Sequence, residues 1–169
     1  MKRKIPQVIS EEEFRKIIKA TKKLKLKTAF YYAFYQCLRV SEVINLTKKD
    51  IDVEKEFVHV KQGKGNKDRD IPLMDEVKHY KRYLPIKMTR QGLHKAIKTK
   101  AKKILGKDIY FHTLRHSGAS MYLNDREIDI KFIKDFLGHE KLATTEIYLH
   151  VNPEQLKNAF KRNSKPTLM

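Results

Sequence analysis

The chain has 169 residues, enough for one domain with a real core, and 40% of them are hydrophobic, an ordinary globular share. Lys and Arg number 38 against 20 Asp and Glu, a net charge of +18. A compact domain this basic repels itself unless it meets a polyanion, so nucleic acid is the expected partner.

Other classes recede for specific reasons. No apolar run is long enough for a membrane span. The basic start Met1-Lys2-Arg3-Lys4-Ile5-Pro6 has no apolar stretch behind it, so it does not read as a signal peptide. No helix sets a basic face against a Trp- and Phe-rich one, as a membrane-surface helix would. Lys-rich thermophile chains usually balance Lys with Glu, which this chain does not. The single cysteine, Cys37, excludes an internal disulfide and fits a reducing cytosol. Its apolar neighbours suggest core packing.

In chain order, Ser10-Glu11-Glu12-Glu13 reads as a capping box opening a helix that carries Phe14, Ile17 and Ile18. A second helix places Ala29, Phe30, Ala33, Phe34, Cys37 and Leu38 on one stripe. A short helix spans Ser41 to Leu46, and Asp50-Ile51-Asp52 breaks the pattern. The period then changes to two. Phe57, Val58 and Val60 make one strand, Ile71 and Leu73 another, around the turn Gln62-Gly63-Lys64-Gly65-Asn66-Lys67-Asp68. With no crossover helix between them the pair must be antiparallel.

Asp75 to Tyr83 is weakly patterned. Thr89 caps a helix bearing Leu93, Ile97, Ala101 and Ile104, stopped by Gly106. Phe111 to Leu123 is a helix, and Ile130, Ile133, Phe136 and Leu137 mark another, ended by Gly138. Thr144 or Thr145 caps a further helix carrying Tyr148, and a short amphipathic helix follows from Pro153 to Lys161. Residues 162–169 read as a frayed tail. The predicted fold class is mainly α with a small antiparallel sheet, an α+β domain.

Several residues invite chemistry, each with a plainer reading beside it. His112 and Arg115 are three apart and share a helix face, where Arg115 can grip a phosphate and His112 can pass a proton; they also fit a solvated basic helix end. His139 follows a glycine stop that can aim it into a cleft. Tyr148 alone is more often a packed core tyrosine, and the chain has eight. Arg39 borders an apolar stripe and needs an anionic partner; Glu42 can satisfy it or hold it toward a phosphate. Lys64 between two glycines suits a phosphate-approaching turn or a plain solvated one.

The order of these residues says more than any of them. Arg-x-Ser-Glu, then Gly-Lys-Gly-x-Lys-x-Arg-x-x-Pro-Leu, then His-x-Leu-Arg-His-Ser, then Leu-Gly-His with a tyrosine nine residues on, resembles the tyrosine recombinase and phage-integrase family from about Pro6 to Phe160. The resemblance implies an integrase-type catalytic domain over residues 1–169. It assigns the catalytic set to Arg39, Lys64, His112, Arg115, His139 and Tyr148, with Glu42 and His116 in support.

By that resemblance Tyr148 attacks the phosphorus to give a 3′-phosphotyrosine, and Arg39 and Arg115 clamp the non-bridging oxygens. Lys64 protonates the leaving 5′-oxygen, His112 assists proton transfer and His139 hydrogen-bonds the phosphate. No paired-carboxylate metal site and no Walker-type loop are present in the sequence, so no metal or ATP is expected. The implied partner is double-stranded DNA, with self-association as a tetramer on DNA through the helix at 153–161, whose Leu156 and Phe160 form an apolar edge. The implied setting is the cytoplasm, at the nucleoid, and the implied role is DNA integration, excision or chromosome-dimer resolution. Readings from other classes are a non-catalytic DNA-binding protein of this fold and a type IB topoisomerase-like relaxing enzyme. Two departures stand out: the family's N-terminal helical domain is expected to be absent, and the stretch from Leu73 to Thr89 is short.

Overall fold

The computed structural model describes residues 7–61, 68–126, 128–138 and 153–162, with side chains described over 157–161 in the last of these segments. The elements are α1 (Glu11–Lys19), α2 (Leu24–Phe34), α3 (Val40–Asn45), a 3-10 turn (Lys48–Asp50), β1 (Ile51–Asp52), β2 (Phe57–Val60), β3 (Arg69–Pro72), α4 (Asp75–Lys78), a second 3-10 turn (His79–Tyr83), α5 (Arg90–Leu105), α6 (Phe111–Asn124), α7 (Ile130–Leu137) and α8 (Pro153–Arg162). The mainly helical fold with a small antiparallel sheet stands. Among the described residues no helix is long and apolar enough to cross a membrane.

Local signals fix most boundaries. The Ser10 side chain accepts from the Glu13 amide while the Glu13 carboxylate accepts from the Ser10 amide, closing the predicted capping box. Thr89 Oγ1 accepts from the Gly92 amide at 3.0 Å to start α5, and Gly106 ends it at φ 68°, where a side chain would be strained. Asp129 caps α7 at the Lys131 amide and Gly138 stops it at φ 63°.

Two elements depart from expectation. The α2 stripe ends at Phe34, not Leu38, because Cys37 turns left-handed at φ 49° and Leu38 bonds back from its amide to the Tyr32 carbonyl at 3.2 Å. Cys37 and Leu38 are still fully buried, but beyond the helix. The sheet gains a third strand, in the order β1-β2-β3, with Ile51 opposite Val58 and Val60 opposite Arg69. Two residues are too few to show a period, so β1 carried no sequence signal.

One core joins the helices to the sheet. Phe14 stacks on Phe34 with ring centroids 4.1 Å apart, and the edges of Tyr31 and Tyr35 meet it. Burying a side chain such as Phe14 or Phe34 contributes roughly 1.5–3 kcal/mol. Helices α2 and α6 meet backbone to backbone: a Cβ on Gly118 would lie 1.9 Å from the Phe34 carbonyl oxygen. Buried Gln36 accepts from the Met74 amide and donates to the Pro72 carbonyl, tying the sheet to the end of α2. Phe160 of α8 closes the core against Tyr122 and Phe136.

Candidate active site

The end of α2, the first turn of α3, strand β3 and the first turns of α6 converge on one carboxylate. Glu42, in α3, has a side chain only 2% exposed. Its Oε2 accepts from the Arg39 amide at 2.7 Å, and its Oε1 accepts from Arg39 Nη1 at 2.9 Å. Arg69 reaches over from β3 and engages both oxygens, Nη1 to Oε1 at 2.9 Å and Nη2 to Oε2 at 3.3 Å. Arg115 Nη1 stands 3.8 Å from Oε2.

Arg115 is the deepest of the three, 2% exposed. Its guanidinium donates to the Cys37 carbonyl and, at 2.7 Å, to the Leu137 carbonyl. The left-handed turn at Cys37 and the glycine stop after Leu137 aim those carbonyls at it. A solvated basic helix end therefore describes exposed His112 but not Arg115. The start of α6 is wedged between the ends of α2 and α7, and the side chain of its fifth residue, Arg115, points inward.

Three guanidinium groups share this one buried carboxylate, so among the described residues the cluster carries more positive than negative charge. Burial pushes the Glu42 carboxyl up, but hydrogen bonding and charge from Arg69, with help from the Arg39 amide and Arg115, outweigh it and hold the carboxyl below its usual range. Burial, then the repelling charge of Arg39, brings Arg115 down to about 10. Both remain charged at neutral pH. Positive charge concentrated this way favours the approach of an anion.

His116, half-buried on α6, has its pKa lowered by burial and by the charge of Arg115, so it is neutral near pH 7. Its ring meets His112 edge-to-face, centroids 4.4 Å apart. Among the described residues no group of three or more His, Cys, Asp or Glu side chains forms a candidate metal site.

Of the residues singled out from sequence, Arg39, Glu42 and Arg115 come together, with His112 and His116 on the same helix as Arg115. Lys64, His139 and Tyr148, with the helix expected to carry Tyr148, lie outside the described residues. Arg69 went unremarked as a site residue, because an arginine in a short strand looks like any solvated one. The available signal was its place in the Gly-Lys-Gly-x-Lys-x-Arg string. Gly138 has a second reason to be glycine: a Cβ there would come within 2.9 Å of Arg69 Cδ and Nε.

Comparison with known proteins gives a consistent picture. The profile described as the Phage integrase family matches residues 7–155. Tyrosine recombinase XerA of Pyrococcus furiosus is 37% identical over 94% of this chain and 62% of its own length. A solved XerA recombinase superposes with a TM-score of 0.68 at 26% identity, covering 96% of this chain and 67% of that one. The integrase of mycobacterium phage Brujita gives a TM-score of 0.79 at 20% identity, a likeness of fold, over 97% of this chain and 60% of that one. The chain spans a little over three fifths of the curated relatives it matches, 62–63% of their length.

Proposed function

The chain belongs to the phage integrase family, and from that premise we propose that it is the catalytic part of a site-specific DNA recombinase. It cuts and rejoins double-stranded DNA through a 3′-phosphotyrosine at Tyr148, in integration, excision or chromosome-dimer resolution. The observation that carries this reading is the buried carboxylate that binds Arg39 and has Arg115 beside it, with more positive charge than it can neutralise. A scissile phosphodiester is an anion of the right size and charge to complete that cluster.

In the proposed reaction the Tyr148 oxygen bonds to phosphorus as the bond to the 5′-oxygen breaks. The tyrosine proton passes toward His112, and the 5′-oxygen takes a proton from Lys64. Arg39 and Arg115 stabilise the charge building on the non-bridging oxygens, and His139 hydrogen-bonds one of them. Glu42 orients the arginines, and His116 packs against His112. The phosphotyrosine conserves the bond energy, so rejoining runs without ATP. The arginines supply the positive charge, so cleavage runs without a divalent ion. Four protomers assemble on DNA through the helix at 153–161, exchanged between neighbours, and the protein works at the nucleoid of the cytoplasm.

Wild-type chain, selected against a randomised nicked duplex in excess EDTA, is expected to yield a covalent protein–DNA adduct on a denaturing gel. Tyr148→Phe should bind the same duplex and yield none. An adduct from the Phe variant removes Tyr148 as nucleophile; binding without any adduct from wild type favours a non-catalytic DNA-binding protein.

A further inference from the structure

We propose that Arg69 is a positioning residue: by gripping both oxygens of Glu42 and the last-turn carbonyl of α7, it sets the orientation in which Arg39 and Arg115 meet the reacting phosphate. Each of its three guanidinium nitrogens makes a hydrogen bond within the protein. Nη1 and Nη2 lie on the two Glu42 oxygens at 2.9 and 3.3 Å, and Nε donates to the Phe136 carbonyl at 3.4 Å. A planar fork held on three sides is a strut, not a spare phosphate hand. Its side chain is 14% exposed, between Arg39 at 21% and Arg115 at 2%.

The strut joins three elements of the fold. It runs from β3, where Arg69 pairs with Val60, to α3 through Glu42, and to the end of α7. Arg115 takes the next α7 carbonyl, that of Leu137, so Arg69 and Arg115 together pin the turn immediately before His139. Gly138 leaves room for this: any larger residue would strike the Arg69 side chain. Glu42 is faced by Arg39 from its own helix start, Arg69 from β3 and Arg115 from α6, with the Cys37 thiol and His116 near Arg115. Of these, Arg69 does most to hold Glu42 ionised against its burial.

The proposal rests on the recombinase reading for its kinetic test alone. With the full chain and a nicked duplex captured covalently by the wild type, Arg69→Met should lower single-turnover adduct formation on the order of 10²-fold, the scale of a small misplacement of catalytic groups. DNA affinity should be nearly kept. Without Arg69, burial raises the Glu42 carboxyl, so the variant should show an acid limb in its rate profile in addition to any that the wild type has. Arg69→Met/Glu42→Gln should be slow and lack that additional limb. Equal loss of binding and cleavage without that limb would overturn the proposal.

A second measurement needs no catalysis. The side-chain Nε–H resonances of Arg39 and Arg115, assigned in nitrogen-labelled chain, should shift in Arg69→Met; unmoved resonances would overturn the positioning role. If Arg69→Met does not fold, Arg69→Lys keeps the charge and loses the fork, and should shift the same resonances and slow cleavage. Wild-type behaviour from the lysine variant would show that charge alone is needed. If the wild type forms no adduct with any duplex, the recombinase reading falls while the resonances still decide the role of Arg69.

Discussion

Two described carboxylates each gather three cations, one in the interior and one partly exposed. Glu42 holds Arg39, Arg69 and Arg115 in the interior, its side chain 2% exposed. Glu56, in the turn between β1 and β2, collects Lys78 at 3.0 Å, Lys157 at 3.5 Å and Lys161 at the rim of the molecule. The first set uses planar forks, which fix geometry; the second uses ammonium groups on flexible stems, which supply charge but little direction. Low local dielectric makes the first set strong and makes the loss of any member costly. Water reaches the second, which is partly exposed, and screens it more than the first.

Removing the carboxylates should therefore give very different answers, and this is the largest effect expected. Glu42→Ala leaves buried guanidinium groups without their counter-charge and should cost about 3–5 kcal/mol of stability, the range for breaking a buried ion pair. Glu56→Ala should cost under about 1 kcal/mol. Urea unfolding of the two variants decides it; similar losses would mean the Glu42 cluster is as well solvated as the Glu56 one.

Within the buried set a second contrast is expected between the two arginines of the proposed clamp. Arg115→Ala strands the Cys37 and Leu137 carbonyls as well as Glu42, so it should destabilise by roughly 1–3 kcal/mol for the unsatisfied groups and lower cleavage about 10²-fold or more. Arg39→Ala, at a more exposed site, should match the loss of cleavage with a smaller loss of stability. Thermal melts beside adduct assays separate the two effects. Equal destabilisation would mean the carbonyl contacts of Arg115 contribute nothing.

That contrast also shows where the sequence was legible. Ser10, Thr89, Gly106 and Gly138 act on backbone groups a few residues away, so their spacing alone announced them. The Arg39–Glu42 pair was visible as an i, i+3 pair for the same reason. Arg69 meets Glu42 across 27 positions, and Arg115 meets Cys37 across 78. Such partners are set by packing, and no local period encodes them. The stripe of α2 ran too far on paper because Cys37 is apolar enough to continue it, while its backbone turns left-handed to present its carbonyl to Arg115. Burial of Arg115 was likewise invisible: it sits between Leu114 and His116 with His112 three residues before it, and only the wedging of α6 between two helix ends buries it. Lys64, His139 and Tyr148 rest on family order alone.

The smallest effect concerns α8, and it tests what holds that helix to its own domain. Phe160, 5% exposed, lies 4.7 Å from Phe136 and 5.0 Å from Tyr122, ring to ring. Lys157 sits over the Phe57 ring at 5.2 Å and donates to the Lys55 carbonyl at 2.9 Å. Apolar burial therefore anchors the helix, with Glu56 as an electrostatic addition whose carboxyl is lowered to about 2 by hydrogen bonds from Lys161 and Lys78. A carboxyl lowered in the folded state contributes stability above its ordinary value of 4.5, and loses it as pH falls toward 2. The gap in Tm between wild type and Glu56→Gln should thus be small at neutral pH, shrink with added salt, and close between about pH 4.5 and 2. A gap that widens on acidification would show that Glu56 opposes docking of α8.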